Sequence, residues 1–62
     1  MPEIGWLIER TIDGMVHYLT IEHEMVAWTS DSLKALRFAR RQDADMFAYG
    51  EDCERIAEHQ WG

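Results

Sequence analysis

The dipeptide Asp13-Gly14, set between the alternating runs IGWLIERTI and MVHYLTI, restricts the fold more than any other feature of this chain. A two-residue Asp-Gly connection favours a type I′ hairpin turn, whose twist matches that of the strands it joins. It also sets the register. Ile12 then opposes Met15, Arg10 opposes His17, Ile8 opposes Leu19 and Trp6 opposes Ile21. In that register the apolar faces of both strands coincide, with Ile4, Trp6, Ile8 and Ile12 on one side of the first strand and only Arg10 interrupting them. A second turn at about His23-Glu24 returns Met25 to Trp28 along the second strand, with Val26 beside Ile21 and Trp28 beside Leu19. The opposite face carries Leu7, Glu9, Thr11, Val16, Tyr18, Thr20, Met25 and Ala27, a mixture suited to water or to a partner.

At Thr29 the period changes. Thr29, Ser30 and Asp31 are all good helix N-caps, and Leu33 to Arg41 are mostly strong helix formers. At 100° per residue, Ala35, Leu36, Phe38 and Ala39 share one arc while Lys34, Arg37, Arg40 and Arg41 occupy the other. The reading is a basic helix over 33–41, its apolar arc laid on Trp6, Ile8, Leu19 and Trp28. Asp43 caps a second short helix, 44–49, with Met46 and Phe47 extending the core, or the first helix continues; Gly50 ends it in either case. The tail RIAEHQWG can alternate as a last strand, with Arg55, Ala57, His59 and Trp61 on one side and Ile56, Glu58 and Gln60 on the other. The expected fold is a single α+β domain spanning 1–62: a three-stranded antiparallel β-meander packed against one or two helices, with room for a C-terminal fourth strand.

The chain has 62 residues, enough for one small core. A domain of this size buries roughly 60% of its unfolded surface, and its stability should fall at about 3 to 9 kcal/mol. With 47% hydrophobic residues and three tryptophans it should fold and not remain disordered. A single cysteine, Cys53, permits no internal disulfide and favours a reducing compartment. MPEIGW lacks the basic-then-apolar pattern of a leader, and no segment approaches the roughly 20 apolar residues of a membrane span. The expectation is a cytoplasmic protein with no membrane attachment.

Twelve acidic residues against six basic give a net charge of −6, which works against general attraction to nucleic acid and towards a basic protein surface. Four of the six basic residues nevertheless fall between Lys34 and Arg41. As a solvated helix face, Lys34, Arg37, Arg40 and Arg41 would complement the helix dipole and the neighbouring Asp43 and Asp45. As a binding face they would make the chain a nucleic-acid-binding accessory protein, the alternative function. The acids Glu22 and Glu24, with Asp43, Asp45, Glu51 and Asp52 later in the chain, could together imitate a row of phosphates. Tyr18, Tyr49 and Trp61 are candidate exposed anchors for a protein partner. These nine residues form the expected partner-binding set.

Equipment for chemistry is sparse. His17, His23 and His59 show no compact ligand spacing, and Cys53 has no paired thiol neighbour, so no metal and no cofactor is expected. Cys53 and His59 could pair as nucleophile and base, but no orienting third group or oxyanion motif accompanies them. The expectation is a non-enzyme. A free edge strand leaves a homodimer open.

The segments WLIER, YLT, WTSDSLKALRFARRQDADMFA and EHQWG together resemble short proteins encoded in bacteriophages and prophages of proteobacteria. The matching residues are Trp28, Thr29 and Asp31; Ala35, Arg37, Phe38, Ala39 and Arg40; Asp43 and Ala44; and Glu58, His59, Trp61 and Gly62. The resemblance covers nearly the whole chain and implies a phage or prophage origin. By analogy with phage proteins of this size, it implies an inhibitor docking on a host protein, including defence systems such as CRISPR complexes.

Overall fold

The computed structural model of the chain describes residues 3–50 and 53–61, Trp61 by its backbone alone. Four strands, β1 (Glu3–Ile12), β2 (Met15–Glu22), β3 (Met25–Thr29) and β4 (Arg55–Trp61), form one antiparallel sheet in the order β3-β2-β1-β4. A 3₁₀ turn (Ser32–Lys34) and a helix, α1 (Arg41–Ala48), lie between β3 and β4. The α+β reading and the fourth strand thus both hold, the tail pairing antiparallel to β1 from Glu3–Trp61 to Glu9–Arg55.

Both expected hairpins form. Asp13 and Gly14 have φ of 51° and 80°, and His23 and Glu24 have φ of 50° and 64°. Positive φ at both central residues is the requirement of a type I′ turn. The register next to the first turn is the expected one, with Ile12 opposite Met15 and Arg10 opposite His17. In the second hairpin Val26 opposes Ile21 and Trp28 opposes Leu19, as the alternation required.

Beyond the turns the expectations need correction. The β1–β2 ladder runs only from Ile12–Met15 to Glu9–Tyr18. Beyond it, Ile8–Leu19 and Trp6–Ile21 are not paired, because another segment takes up the facing backbone groups. Trp6 N–H donates to the Phe38 carbonyl at 2.8 Å, Phe38 N–H donates back to Trp6 at 3.1 Å, and Leu36 N–H donates to the Leu19 carbonyl at 3.0 Å. The expected helix over 33–41 is therefore absent. Asp31 caps a single 3₁₀ turn, its Oδ1 accepting from Leu33 N–H at 3.0 Å, and Ala35 is already extended. Good helix formers occupy these positions, but pairing with two strands satisfies the same backbone groups and also brings Phe38 against the core. Lys34, Arg37, Arg40 and Arg41 accordingly do not share a helical face.

α1 begins at Arg41, so Asp43 sits in its first turn and does not cap it; Asp43 instead accepts from Arg40 Nε at 3.0 Å and Nη2 at 3.3 Å. Gly50, with φ of 86°, follows the helix end. The helix buries Ala44 and Ala48 against Ile8 and Leu19, while Trp6, Trp28, Phe38, Cys53 and Ile56 pack around them. Alanines serve here because they let the helix backbone lie close to the sheet. Met46 is 77% exposed and Phe47, whose ring centroid lies 5.5 Å from that of Phe38, is at the margin. The expectation that Met46 and Phe47 extend the core thus fails for Met46. Among the described residues, no helix is long and apolar enough to cross a membrane.

Candidate protein-binding surface

The sheet face opposite α1 is less open than its mixed composition suggests. Leu7 is fully buried there and Glu9 is 5% exposed. Alternation sends the Glu9 side chain to the side opposite Ile8, and pairing with β4 brings Arg55 and His59 to that same side. Arg55 Nε donates to Glu9 Oε1 at 2.8 Å. Because an ionised carboxylate can only accept, His59 Nε2–H is the donor to Glu9 Oε2, at 2.6 Å. Tyr18 meets the His59 ring edge-on, with centroids 5.8 Å apart. Glu54 extends the network, its backbone N–H donating to the Glu9 carbonyl at 2.9 Å and its carboxylate accepting from Thr11 N–H. The buried carboxylate is therefore held by two charge-assisted hydrogen bonds across two strands.

Sequence reading missed this cluster. Its central pairs are separated by 46 and 50 residues, and nothing local in LIERT marks Glu9 as more buried than any other strand glutamate. It also relocates two candidates. Tyr18 is half-buried against His59 and is not a free anchor. Cys53 packs against the Ile8–Leu19 core, whereas His59 binds Glu9 on the other side of β1, so the sheet separates the two groups of the considered nucleophile–base pair. Among the described residues, no three His, Cys, Asp or Glu side chains are grouped to hold a metal ion.

The four basic candidates are spread over three kinds of backbone. Lys34 ends the 3₁₀ turn, Arg37 lies in the extended segment, Arg40 precedes α1 and Arg41 opens it. Arg40 is bound by Asp43, and the Arg41 guanidinium lies 5.7 Å from the Trp6 ring centroid. The basic helix on which the nucleic-acid reading depended is thus absent.

The acidic candidates fall in two places. Glu22 and Glu24 are exposed at the β2–β3 turn, and Asp45 is exposed on α1. Asp43 is committed to Arg40. Glu51 and Asp52 lie outside the described residues, as does the side chain of Trp61. What the fold does bring together is Asp45, Met46 and Tyr49, which line one open depression on the outer side of α1. Tyr49 is 91% exposed and Met46 77%. One helical turn separates them, so an aromatic ring and a flexible thioether stand side by side next to a carboxylate. Asp45 and Tyr49 are legible in the sequence as surface candidates; Met46 is not, because helical periodicity alone does not reveal which arc of α1 the alanines bury. No family model, no characterised protein and no solved structure matches this chain.

Proposed function

We propose that this chain is a non-catalytic accessory protein of phage or prophage origin that binds a host protein through the outer side of α1. The observation that carries the reading is the adjacency of Tyr49 and Met46, both largely exposed, with Asp45 beside them. Tyrosine and methionine are enriched in protein interfaces, where a large apolar body buries area and a hydroxyl supplies direction. The net charge of −6 and the exposed acids at the β2–β3 turn complement a basic partner. Inhibition of a bacterial defence complex is the activity that such docking would serve.

The test is affinity capture from bacterial lysate with the wild-type chain and with a Met46→Ser/Tyr49→Ser variant, followed by calorimetry on the purified partner. One protein should be retained by the wild type, and the variant should bind it at least about tenfold more weakly, the loss of one interface hot spot. Equal affinity in the variant, or repeated recovery of no partner by the wild type, refutes the proposal.

A further inference from the structure

Of the two strands at the margins of the sheet, β4 presents exposed Arg55 and Glu58, whereas β3 reads MVAWT, with no charge, no proline and no bulge. Edge strands of monomeric proteins are normally blunted by one of these devices, because their free N–H and C=O groups pair with other chains. The two-residue turn fixes which groups of β3 are free. Residues 22 and 25 close the hairpin as a hydrogen-bonded pair, so Met25, Ala27 and Thr29 direct their amides and carbonyls to β2. Val26 and Trp28 direct theirs outward.

We propose that β3 is a self-pairing edge through which two copies of the chain join in antiparallel fashion, with the two-fold axis at Ala27. In this register Val26 of one copy and Trp28 of the other form hydrogen-bonded pairs on both sides of the axis. Four backbone bonds result, and every outward-facing polar group of β3 is satisfied. Side chains agree with the backbone. Ala27 meets its own counterpart in a non-hydrogen-bonded pair, where strands approach most closely and a small residue fits. Val26 and Trp28 form β-branched–aromatic cross-strand pairs on the face that also carries Ile21. Ile21 and Val26 are 42% and 40% exposed in the single chain, a patch that α1 leaves uncovered and the second copy would cover. Charge is compatible: the hairpin tips bearing Glu22 and Glu24 point in opposite directions in an antiparallel pair, so these acids do not face one another.

The area limits the affinity. A standard interface buries about 800 Å² per partner, roughly a sixth of the 4593 Å² surface of this chain. A five-residue strand edge supplies less. The dimer belongs to the weak class, with a dissociation constant on the order of 0.1 mM. It closes on itself, since each copy has a single β3, and the charged β4 edges remain outside. The inference rests on β3 alone and is independent of the α1 surface.

Sedimentation velocity from micromolar to millimolar concentration should show the mass rising from that of one chain towards two, and Val26→Lys should remain monomeric throughout with an unchanged circular dichroism spectrum. Amide resonances of the wild-type chain supply a second readout that needs no variant. On dilution the Val26 and Trp28 amides should shift and lose protection from exchange, while the Ala27 and Thr29 amides, bonded to β2, should not. A single-chain mass at millimolar concentration, a dimer retained by Val26→Lys, or concentration-dependent shifts centred on β4 overturns the proposal.

Discussion

The β2–β3 turn stores strain that can be removed. His23 and Glu24 both occupy the left-handed region, at φ of 50° and 64°. For a residue with a Cβ that region costs about 1–2 kcal/mol. Glu24→Gly removes the cost at one position but adds about 0.5–1 kcal/mol of chain entropy lost on folding. The net expectation is a gain of about 0.5–1 kcal/mol, which for a domain of this size raises Tm by about 2–8 °C. The matched control lies in the other hairpin. Gly14 has φ of 80°, and nothing lies within 4 Å of where its Cβ would stand, so Gly14→Ala isolates the backbone cost without a clash. It should lower stability by about 1 kcal/mol. Thermal unfolding of both variants by circular dichroism, at one low concentration so that association does not contribute, tests the pair. A lower Tm for Glu24→Gly, or an unchanged or higher one for Gly14→Ala, would refute the strain argument.

Two substitutions test the two covered faces, and a third on the exposed arc of α1 serves as control. Glu9→Ala removes two charge-assisted hydrogen bonds, but the Arg55 side chain is 44% exposed and can regain water; urea unfolding should show a loss of about 2–3 kcal/mol, below the upper end for breaking a fully buried pair, with the m-value unchanged. On the other face Ala44 is fully buried against Ile8 and Leu19, so Ala44→Leu should overpack the core and cost about 1–3 kcal/mol in the same assay, whereas Met46→Leu on the exposed arc of α1 should stay within about 0.5 kcal/mol.

Local signals in the sequence were sufficient wherever turn chemistry fixed register. Asp13-Gly14 determined which residues of β1 and β2 face each other near the turn, and the alternation of MVAWT placed Val26 and Trp28 correctly. They failed at Leu33 to Arg41, and the reason is visible in LRF. Leu36 and Phe38 fit an apolar arc at 100° per residue, yet they fit a period of two equally well, with Arg37 exposed between them. Only the gap between β1 and β2, a tertiary feature, decides between the two periods. The Glu9 cluster failed to show for a related reason: its partners arrive on β4, and the antiparallel register that brings Arg55 and His59 beside Glu9 has no local signature.

The placement of the arginines bears on what the surface can attract. Arg10 lies 5.0 Å from the Trp28 ring centroid and Arg41 5.7 Å from that of Trp6, Arg40 binds Asp43, and Arg55 binds Glu9. These basic side chains thus contact groups of their own chain, while Glu3, Asp13, Glu22, Glu24, Asp45 and Glu58 are exposed. An approaching polyanion meets a predominantly negative surface, and an approaching basic protein is steered in. The apolar anchors and the acids should then act on different rates. In the proposed complex Met46 and Tyr49 would bury area only once it has formed, so their removal should speed dissociation. Glu22 and Glu24 act at a distance through a field that falls off over about 8–10 Å at physiological salt. Their replacement by Gln should slow association and flatten its salt dependence while leaving dissociation nearly unchanged, as measured by stopped-flow binding at several salt concentrations. A salt-independent association rate for the wild type would show that the acidic surface plays no part in finding the partner, and would leave the α1 anchors as the whole of the recognition.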